Sequence, residues 1–147
     1  MKNIAVIGSG TMGNGIAHVF AQMGYPVSLI DINQDALDRA LQTIGKNMDR
    51  QVSKGLLSTE EKTSSLNRIQ SFTNLENGVK NADLVVEAAT ENIEIKLELF
   101  RQIDRFSPSA AILASNTSSI SITKIAAMTN RPAQIIGMHF MNPVPVM

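Results

Sequence analysis

Three closely spaced glycines near the N-terminus are the first residues whose types and spacing suit a defined chemical task. Gly8, Gly10 and Gly13 fit the pattern GxGxxG and follow an apolar run from Ile4 to Ile7, which is typical of a strand buried on both faces. Between a strand and a helix, such a loop lets the backbone approach a pyrophosphate, and the first amides of the helix face the phosphates. We therefore predict a dinucleotide site here. Its loop residues are Gly8, Ser9, Gly10, Thr11, Met12 and Gly13.

An acidic residue follows at the end of the next predicted strand. Asp31 comes directly after the apolar run from Val27 to Ile30. A carboxylate at this position accepts hydrogen bonds from the adenosine ribose hydroxyls and repels a 2′-phosphate. Neither Ile32 nor Asn33, the next two residues, is an arginine that would receive that phosphate. The pattern predicts NAD rather than NADP as the cofactor, although a role for Asp31 as a helix N-cap remains open.

Polar segments follow three later strands of the predicted fold. Residues 86–92 read VEAATEN and are followed by Lys96, residues 115–119 read SNTSS, and residues 139–143 read HFMNP. The carboxyl ends of parallel strands meet at one edge of a sheet, where open α/β sheets bind ligands. His139 in the last segment has a side chain that exchanges a proton near neutral pH, because its unperturbed pKa is about 6.5. These segments predict a catalytic rim beside the cofactor.

Strands and helices alternate along the chain, which indicates a parallel sheet covered on both faces. We predict an α/β fold, a Rossmann-type doubly wound parallel sheet with a helical hairpin inserted after the second strand. Ser58 and Glu61 offer a capping box for the second helix of that hairpin. His18 lies on the first helix without catalytic context, and we interpret it as a helix-surface residue. The predicted strands are 4–7, 27–30, 69–72, 84–86, 111–114 and 135–138, and the predicted helices are 11–23, 34–54, 58–66, 95–106 and 122–128.

Composition narrows the classes of partner. The 147 residues fit one domain, and thirteen basic and thirteen acidic residues cancel, so nucleic acid and anionic membranes are not expected partners. The chain has no cysteine, which excludes a disulfide scaffold and a thiolate metal site, and we predict no metal. No signal peptide or membrane span is predicted, so the expected location is cytoplasmic. The apolar tail, residues 143–147, suggests that the chain stops before a further domain.

The polar segments also carry a resemblance to a known family. With the glycine loop, the SNTSS and HFMNP segments resemble the 3-hydroxyacyl-CoA dehydrogenases, including their 3-hydroxybutyryl-CoA branch, and the resemblance spans the whole chain. It implies that the oxygen of the substrate contacts Ser118 and that His139 is the catalytic base. It also implies further cofactor contacts besides the glycine loop. These come from Asp31, Glu91, Lys96, Ser118 and Asn142.

The resemblance further implies an acyl-CoA substrate and a reaction. The family interconverts (S)-3-hydroxyacyl-CoA and 3-oxoacyl-CoA in fatty-acid oxidation or butanoate metabolism, and its coenzyme A site includes the helical hairpin. The corresponding residues here are Lys54, Lys96 and Asn47, the last where some members have serine. Residues 1–147 then form the NAD-binding domain, and the helical C-terminal domain, through which the intact protein forms a homodimer, is absent. That missing half also holds the carboxylate partner of the histidine, so we expect the chain to bind NAD with little turnover.

Two alternative functions remain open at this point. The β-hydroxyacid dehydrogenases, which use a catalytic lysine, share the glycine loop and the acidic residue, but they do not predict SNTSS followed by HFMNP. A non-catalytic NAD-binding relative, of the kind recruited as an eye-lens crystallin, would have no need to retain both Ser118 and His139.

Overall fold

Six parallel strands form one sheet at the centre of the computed structural model, which describes residues 2–147. The strand order β3-β2-β1-β4-β5-β6 reverses direction between β1 and β4, as in a doubly wound sheet. The predicted fold class is therefore confirmed. The strands are β1 (Ile4–Ile7), β2 (Val27–Ile30), β3 (Ile69–Phe72), β4 (Leu84–Glu87), β5 (Ile112–Ser115) and β6 (Ile135–Gly137).

Helices cover both faces of this sheet, and a helical hairpin lies between β2 and β3. The hairpin is formed as predicted, because Ser58 and Glu61 make the reciprocal hydrogen bonds of a capping box at the start of its second helix. In the part of the chain that the structure describes, no helix is both long and apolar enough to cross a membrane. The helices are α1 (Thr11–Gln22), α2 (Gln34–Ser53), α3 (Thr59–Asn67), α4 (Leu75–Val79), α5 (Ile93–Phe106) and α6 (Ile122–Ala126).

Two hydrophobic clusters lie on opposite faces of the sheet. Helices α1 and α2 contribute Ile16, Leu37 and Ile44 to the first cluster, and the tail residue Val144 also packs there. Helices α5 and α6 contribute Phe100 among others to the second cluster. Strands β1 and β4 are buried along their whole length and are apolar apart from Glu87 at the end of β4, whereas β2 and β3 carry polar residues within the strand.

Two short elements were not predicted from the sequence, and several predicted element ends differ from the observed ones by one or two residues. Helix α4 and a 3-10 helix, Pro132–Gln134, are too short to show a helical period. Helix α5 begins at Ile93 rather than at residue 95, because the side chain of Asn92 accepts a hydrogen bond from the Ile95 amide and caps the helix.

The interpretation of His18 as a surface residue is wrong. Its side chain is fully buried, because α2 packs across α1 at this point. Its Nε2 contacts the side-chain oxygens of Gln22 and Gln51, 3.0 and 3.2 Å away. Burial lowers the pKa of His18, although the contacts with Gln51 and Gln22 oppose that effect. The misinterpretation arose because α1 alone shows no sign of the hairpin that covers it.

The start of β6 is fixed by one arginine. Arg131 donates from Nε to Asp104 Oδ1 over 2.6 Å and from its terminal nitrogens to carbonyl groups at the end of α5. Both side chains of this ion pair are largely buried, at 12% and 7% exposure. The segment that follows β6, which carries His139, therefore leaves the sheet from a fixed starting point.

Candidate functional site

The glycine loop has the geometry that a bound pyrophosphate requires. Gly8 has φ +95°, and a Cβ built on Gly13 would lie 1.7 Å from the Gly8 carbonyl oxygen, so these two glycines allow the turn and the close packing of α1 on β1. At Gly10, by contrast, an added Cβ meets nothing within 4 Å. Gly10 is also the N-cap of α1 and offers no side-chain acceptor to the first amides of the helix. Phosphate oxygens fit this open space.

Asp31 is held at the end of β2 by the same loop. Its Oδ2 accepts hydrogen bonds from the backbone amide and hydroxyl of Ser9, at 2.9 and 2.7 Å. Burial raises the pKa of Asp31, but the hydrogen bonds from Ser9, Asn33 and Ile32 outweigh it and hold the pKa below its ordinary value. The N-cap of α2 is Asn33, which accepts a hydrogen bond from the Ala36 amide, so Asp31 is not the cap. Its carboxylate is ionised and faces the loop, as ribose recognition requires.

A cleft of about 1090 Å³ opens over the carboxyl ends of β1, β2 and β4. Its walls include the loop residues from Gly8 to Thr11 together with Asp31, which supports the predicted cofactor site. Arg39 on α2 also lines the cleft, although the sequence analysis considered only the two residues after Asp31.

A buried ion pair lies beneath the loops that follow β4 and β5. Lys96 on α5 donates from Nζ to Glu87 Oε2 over 2.5 Å, and the two side chains are 1% and 0% exposed. The same carboxylate accepts the hydroxyl of Ser115 at 2.8 Å and the amides of Ala89 and Thr90 at 2.9 and 3.3 Å. Glu87 thus fixes the first residues of two loops that the sequence analysis assigns to the site.

The SNTSS loop is stabilised by Glu91. Thr117 and Ser119, the neighbours of Ser118, donate their hydroxyls to Glu91 Oε2 at 2.8 and 3.0 Å. Burial raises the pKa of Glu91, but these two hydrogen bonds and the charges of Lys96 and His139 outweigh it and hold the pKa low. Ser118 itself is exposed at the tip of the loop. Glu91 is therefore an ionised group that holds the residues on both sides of Ser118.

The segment after β6 lies directly against the SNTSS loop. The Met138 amide donates to the Ser115 carbonyl over 2.9 Å, and the Phe140 amide donates to Asn116 Oδ1 over 2.7 Å. His139, between these two contacts, is exposed, and so is Asn142. The structure thus brings His139 and Ser118 to neighbouring loops at one edge of the sheet, as the sequence analysis expects.

The residues predicted to contact coenzyme A do not all come together. Lys54 and Asn47 lie two turns apart along α2, where Lys54 is exposed and Asn47 accepts a hydrogen bond from Arg50. Lys96 lies on the opposite face of the sheet, with its ammonium group inside the protein. In this structure Lys96 offers no exposed atom to coenzyme A, whereas the contacts predicted from α2 stay predictions.

The comparison with known proteins decides the family. The family described as "3-hydroxyacyl-CoA dehydrogenase, NAD binding domain" matches residues 3–147. This chain belongs to that family. Its cofactor is accordingly NAD, as the glycine loop and Asp31 predicted. The match also decides against the hydroxyacid dehydrogenases with a catalytic lysine, because it covers both the loop and the segments after β4, β5 and β6.

Individual relatives agree with this assignment. A Bacillus subtilis protein named "Probable 3-hydroxybutyryl-CoA dehydrogenase" is 48% identical over all of this chain and 51% of its own length. The human "Hydroxyacyl-coenzyme A dehydrogenase, mitochondrial" is 41% identical, over all of this chain and 48% of its own length. The crystal structure of an (S)-3-hydroxybutyryl-CoA dehydrogenase from Ralstonia eutropha superimposes with a TM-score of 0.97 at 45% identity, covering all of this chain and 52% of that one. The chain therefore spans about half the length of these relatives.

Several residues that shape the candidate site of this chain were not assigned a role from the sequence. Glu87 could have been recognised, because it is a carboxylate at the last position of a fully buried strand. Ser115, Asn116 and Thr117 lie within the quoted SNTSS segment, but a sequence pattern does not say which of its polar side chains turn inward. Arg39 gave no signal, since its approach to the cleft depends on how α2 is placed.

Proposed function

We propose that this chain is the NAD-binding half of an enzyme that interconverts (S)-3-hydroxyacyl-CoA and 3-oxoacyl-CoA. The observation that supports it most directly is the placement of an exposed histidine, His139, beside the Ser118 loop, to which the amides of Met138 and Phe140 are hydrogen-bonded through Ser115 and Asn116. An alcohol oxidation requires a base and a hydrogen-bonding group at the reacting oxygen, and His139 and Ser118 supply them.

The residues divide the work as follows. Bound NAD supplies the acceptor for the hydride that leaves C3 of the substrate. Ser118 donates a hydrogen bond to the oxygen on C3 and orients it, while His139 takes the proton of the hydroxyl as that oxygen becomes a carbonyl. In the reverse direction His139 returns the proton. Glu91, ionised and hydrogen-bonded on both sides of Ser118, keeps the serine loop in place.

Cofactor contacts at Asp31, Glu91 and Asn142 belong to this proposal, as do substrate contacts from Lys54 and Asn47, whereas Lys96 is paired with Glu87 inside the protein and contributes to the support of the site. The acyl-CoA substrate is supported by the names of the relatives, which are hydroxybutyryl- or hydroxyacyl-CoA dehydrogenases. We also propose that the intact protein continues into a helical domain that forms a homodimer, since its relatives are about twice as long. A cytoplasmic location stays a prediction, because one of those relatives is named as mitochondrial.

Turnover by the 147 residues alone should be far below that of the intact enzyme. Among residues 2–147 no carboxylate forms an ion pair with His139, and such a partner orients a catalytic histidine and stabilises its charged form. Substrate is also not held at attack distance without the remaining half, and such positioning contributes on the order of 7–11 kcal/mol in favourable cases.

The decisive experiment compares this chain with an extended chain, in which the same residues are joined to the C-terminal half of the Bacillus subtilis relative. Both are assayed for reduction of acetoacetyl-CoA by NADH, and the binding of NADH is measured separately by fluorescence. We expect binding by both and turnover by the extended chain, which His139→Gln should lower by at least about a thousandfold. Near-normal turnover by the 147 residues would show that the second half is dispensable, and full activity of His139→Gln would show that another group moves the proton.

A further inference from the structure

The backbone on either side of His139 is held by one loop. The Met138 amide donates to the Ser115 carbonyl at 2.9 Å and continues the parallel ladder between β5 and β6 for one more residue. Beyond that point the ladder ends, and the Phe140 amide instead donates to the side chain of Asn116, 2.7 Å away. The side chain of Asn116 therefore accepts the next backbone hydrogen bond after β6 has ended.

A side-chain acceptor is needed at this position for a structural reason. Strand β6 is only three residues long and lies at the edge of the sheet, so it has a neighbour on one side only. Met138 and Phe140, on either side of His139, pack against the core, and the Phe140 ring contacts that of Phe20, whereas His139 itself is exposed. These apolar contacts are not directional, so the hydrogen bond from the Phe140 amide to Asn116 is the contact that sets the orientation of the backbone next to His139.

Asn116 is itself well placed to serve as a fixed point. Its own amide donates to the Glu87 carbonyl over 2.9 Å, and Glu87 is the fully buried last residue of β4. The side-chain oxygen rather than the nitrogen must face Phe140, since a backbone amide can only donate. The side chain of Asn116 thus connects the end of the buried strand β4 to the residue that follows His139.

We propose that Asn116 is a positioning residue for His139, and that it sets the place of the imidazole by fixing the backbone on the C-terminal side of the histidine. This inference rests on the proposed function only in that His139 is taken as the base. Asn116 acts through the Phe140 amide and does not contact the reacting atoms. Its loss should lower kcat, since a misplaced base lowers the rate of the chemical step, and should leave KM nearly unchanged.

Three variants separate positioning from general damage. Asn116→Leu has nearly the same size but no acceptor, whereas Asn116→Asp keeps an acceptor oxygen for the Phe140 amide. Asn67→Leu, at the exposed last residue of α3, makes the same chemical change away from the site. Hydrogen exchange of the Phe140 amide, followed by NMR in the 147-residue chain, reports the contact directly and needs no turnover.

In the 147-residue chain, we expect Asn116→Leu to speed exchange of the Phe140 amide at least about tenfold, while Asn116→Asp and Asn67→Leu leave it within about twofold. In the extended chain, Asn116→Leu should lower kcat by about 10- to 100-fold with KM changed less than about threefold, and Asn116→Asp should recover most of that loss. Unchanged exchange in Asn116→Leu overturns the inference whether or not the extended chain turns over. An unchanged kcat of Asn116→Leu in an active extended chain also overturns the inference, but it leaves the proposed function standing. Full activity of His139→Gln contradicts both the inference and the proposed function.

Discussion

The buried ion pair between Lys96 and Glu87 allows a sharp test of what holds the site together. Replacing Lys96 by methionine keeps most of the side-chain volume and removes the ammonium group that lies 2.5 Å from Glu87 Oε2. The carboxylate is then left fully buried without a charged partner. Such a group is strongly destabilising, because the protein interior solvates an isolated charge poorly.

The magnitude follows from what remains around Glu87. Breaking a buried pair by removing one partner costs about 3–5 kcal/mol. Three neutral donors stay in place, the hydroxyl of Ser115 and the amides of Ala89 and Thr90, so the lower end applies and we expect about 3 kcal/mol. For a domain of this size, that corresponds to a fall in Tm of about 6–12 °C.

The assay is urea unfolding of the 147-residue chain followed by circular dichroism. The double variant Glu87→Gln with Lys96→Met removes both charges and should be at least about 1 kcal/mol more stable than Lys96→Met alone. Lys62→Met, which breaks the more exposed pair with Asp49, is the matched control and should cost less than about 1 kcal/mol. A cost below about 1 kcal/mol for Lys96→Met, or a double variant less stable than it, would refute the reasoning.

The remaining predictions concern the cofactor and the acid response. Gly10→Val should abolish NADH binding without lowering Tm, because the new side chain enters space that is open to a ligand. Gly13→Ala, by contrast, should lower the free energy of unfolding by about 3 kcal/mol or more, because its methyl group clashes with the Gly8 carbonyl. Retained NADH affinity in Gly10→Val would contradict the placement of the cofactor. Asp31→Ala should raise the affinity for NADPH by about tenfold in fluorescence titrations, since it removes a charge that repels the 2′-phosphate while Arg39 still lines the cleft. An unchanged ratio of NADH to NADPH affinity would count against this prediction. Burial raises the pKa of Asp104, but its hydrogen bonds hold that pKa below 3.8, so its stabilising effect is present above that pH and lost as pH falls through the folded-state value. Asp104→Asn should therefore lower stability in urea at neutral pH and match the parent in strong acid, and an equal deficit at both pH values would exclude this origin.

The sequence predicts correctly those elements of the fold that depend on the pattern of neighbouring residues. The strands, the helical hairpin and its capping box each depend on residues close together in the chain, and the fixed spacing of the glycines predicts a phosphate-binding loop. The prediction failed where a long-range contact decides the environment. His18 has an ordinary position on an amphipathic helix, and only the packing of α2 buries it. Lys96 gave a similar difficulty, because a lysine on α5 carries no local sign that a carboxylate from β4 draws it inside.

Glu87 connects stability and function in this fold. A buried ion pair is seldom the most stable choice, since well-packed apolar residues of similar volume often do as well or better. An apolar pair, however, would leave the amides of Ala89 and Thr90 and the hydroxyl of Ser115 without their acceptor. These groups begin the loop that lines the cleft and the loop that carries Ser118. The Glu87 carbonyl meanwhile accepts the Asn116 amide, one step from the segment of His139. The charge pair is thus the means by which the end of β4 fixes the first residues of both loops.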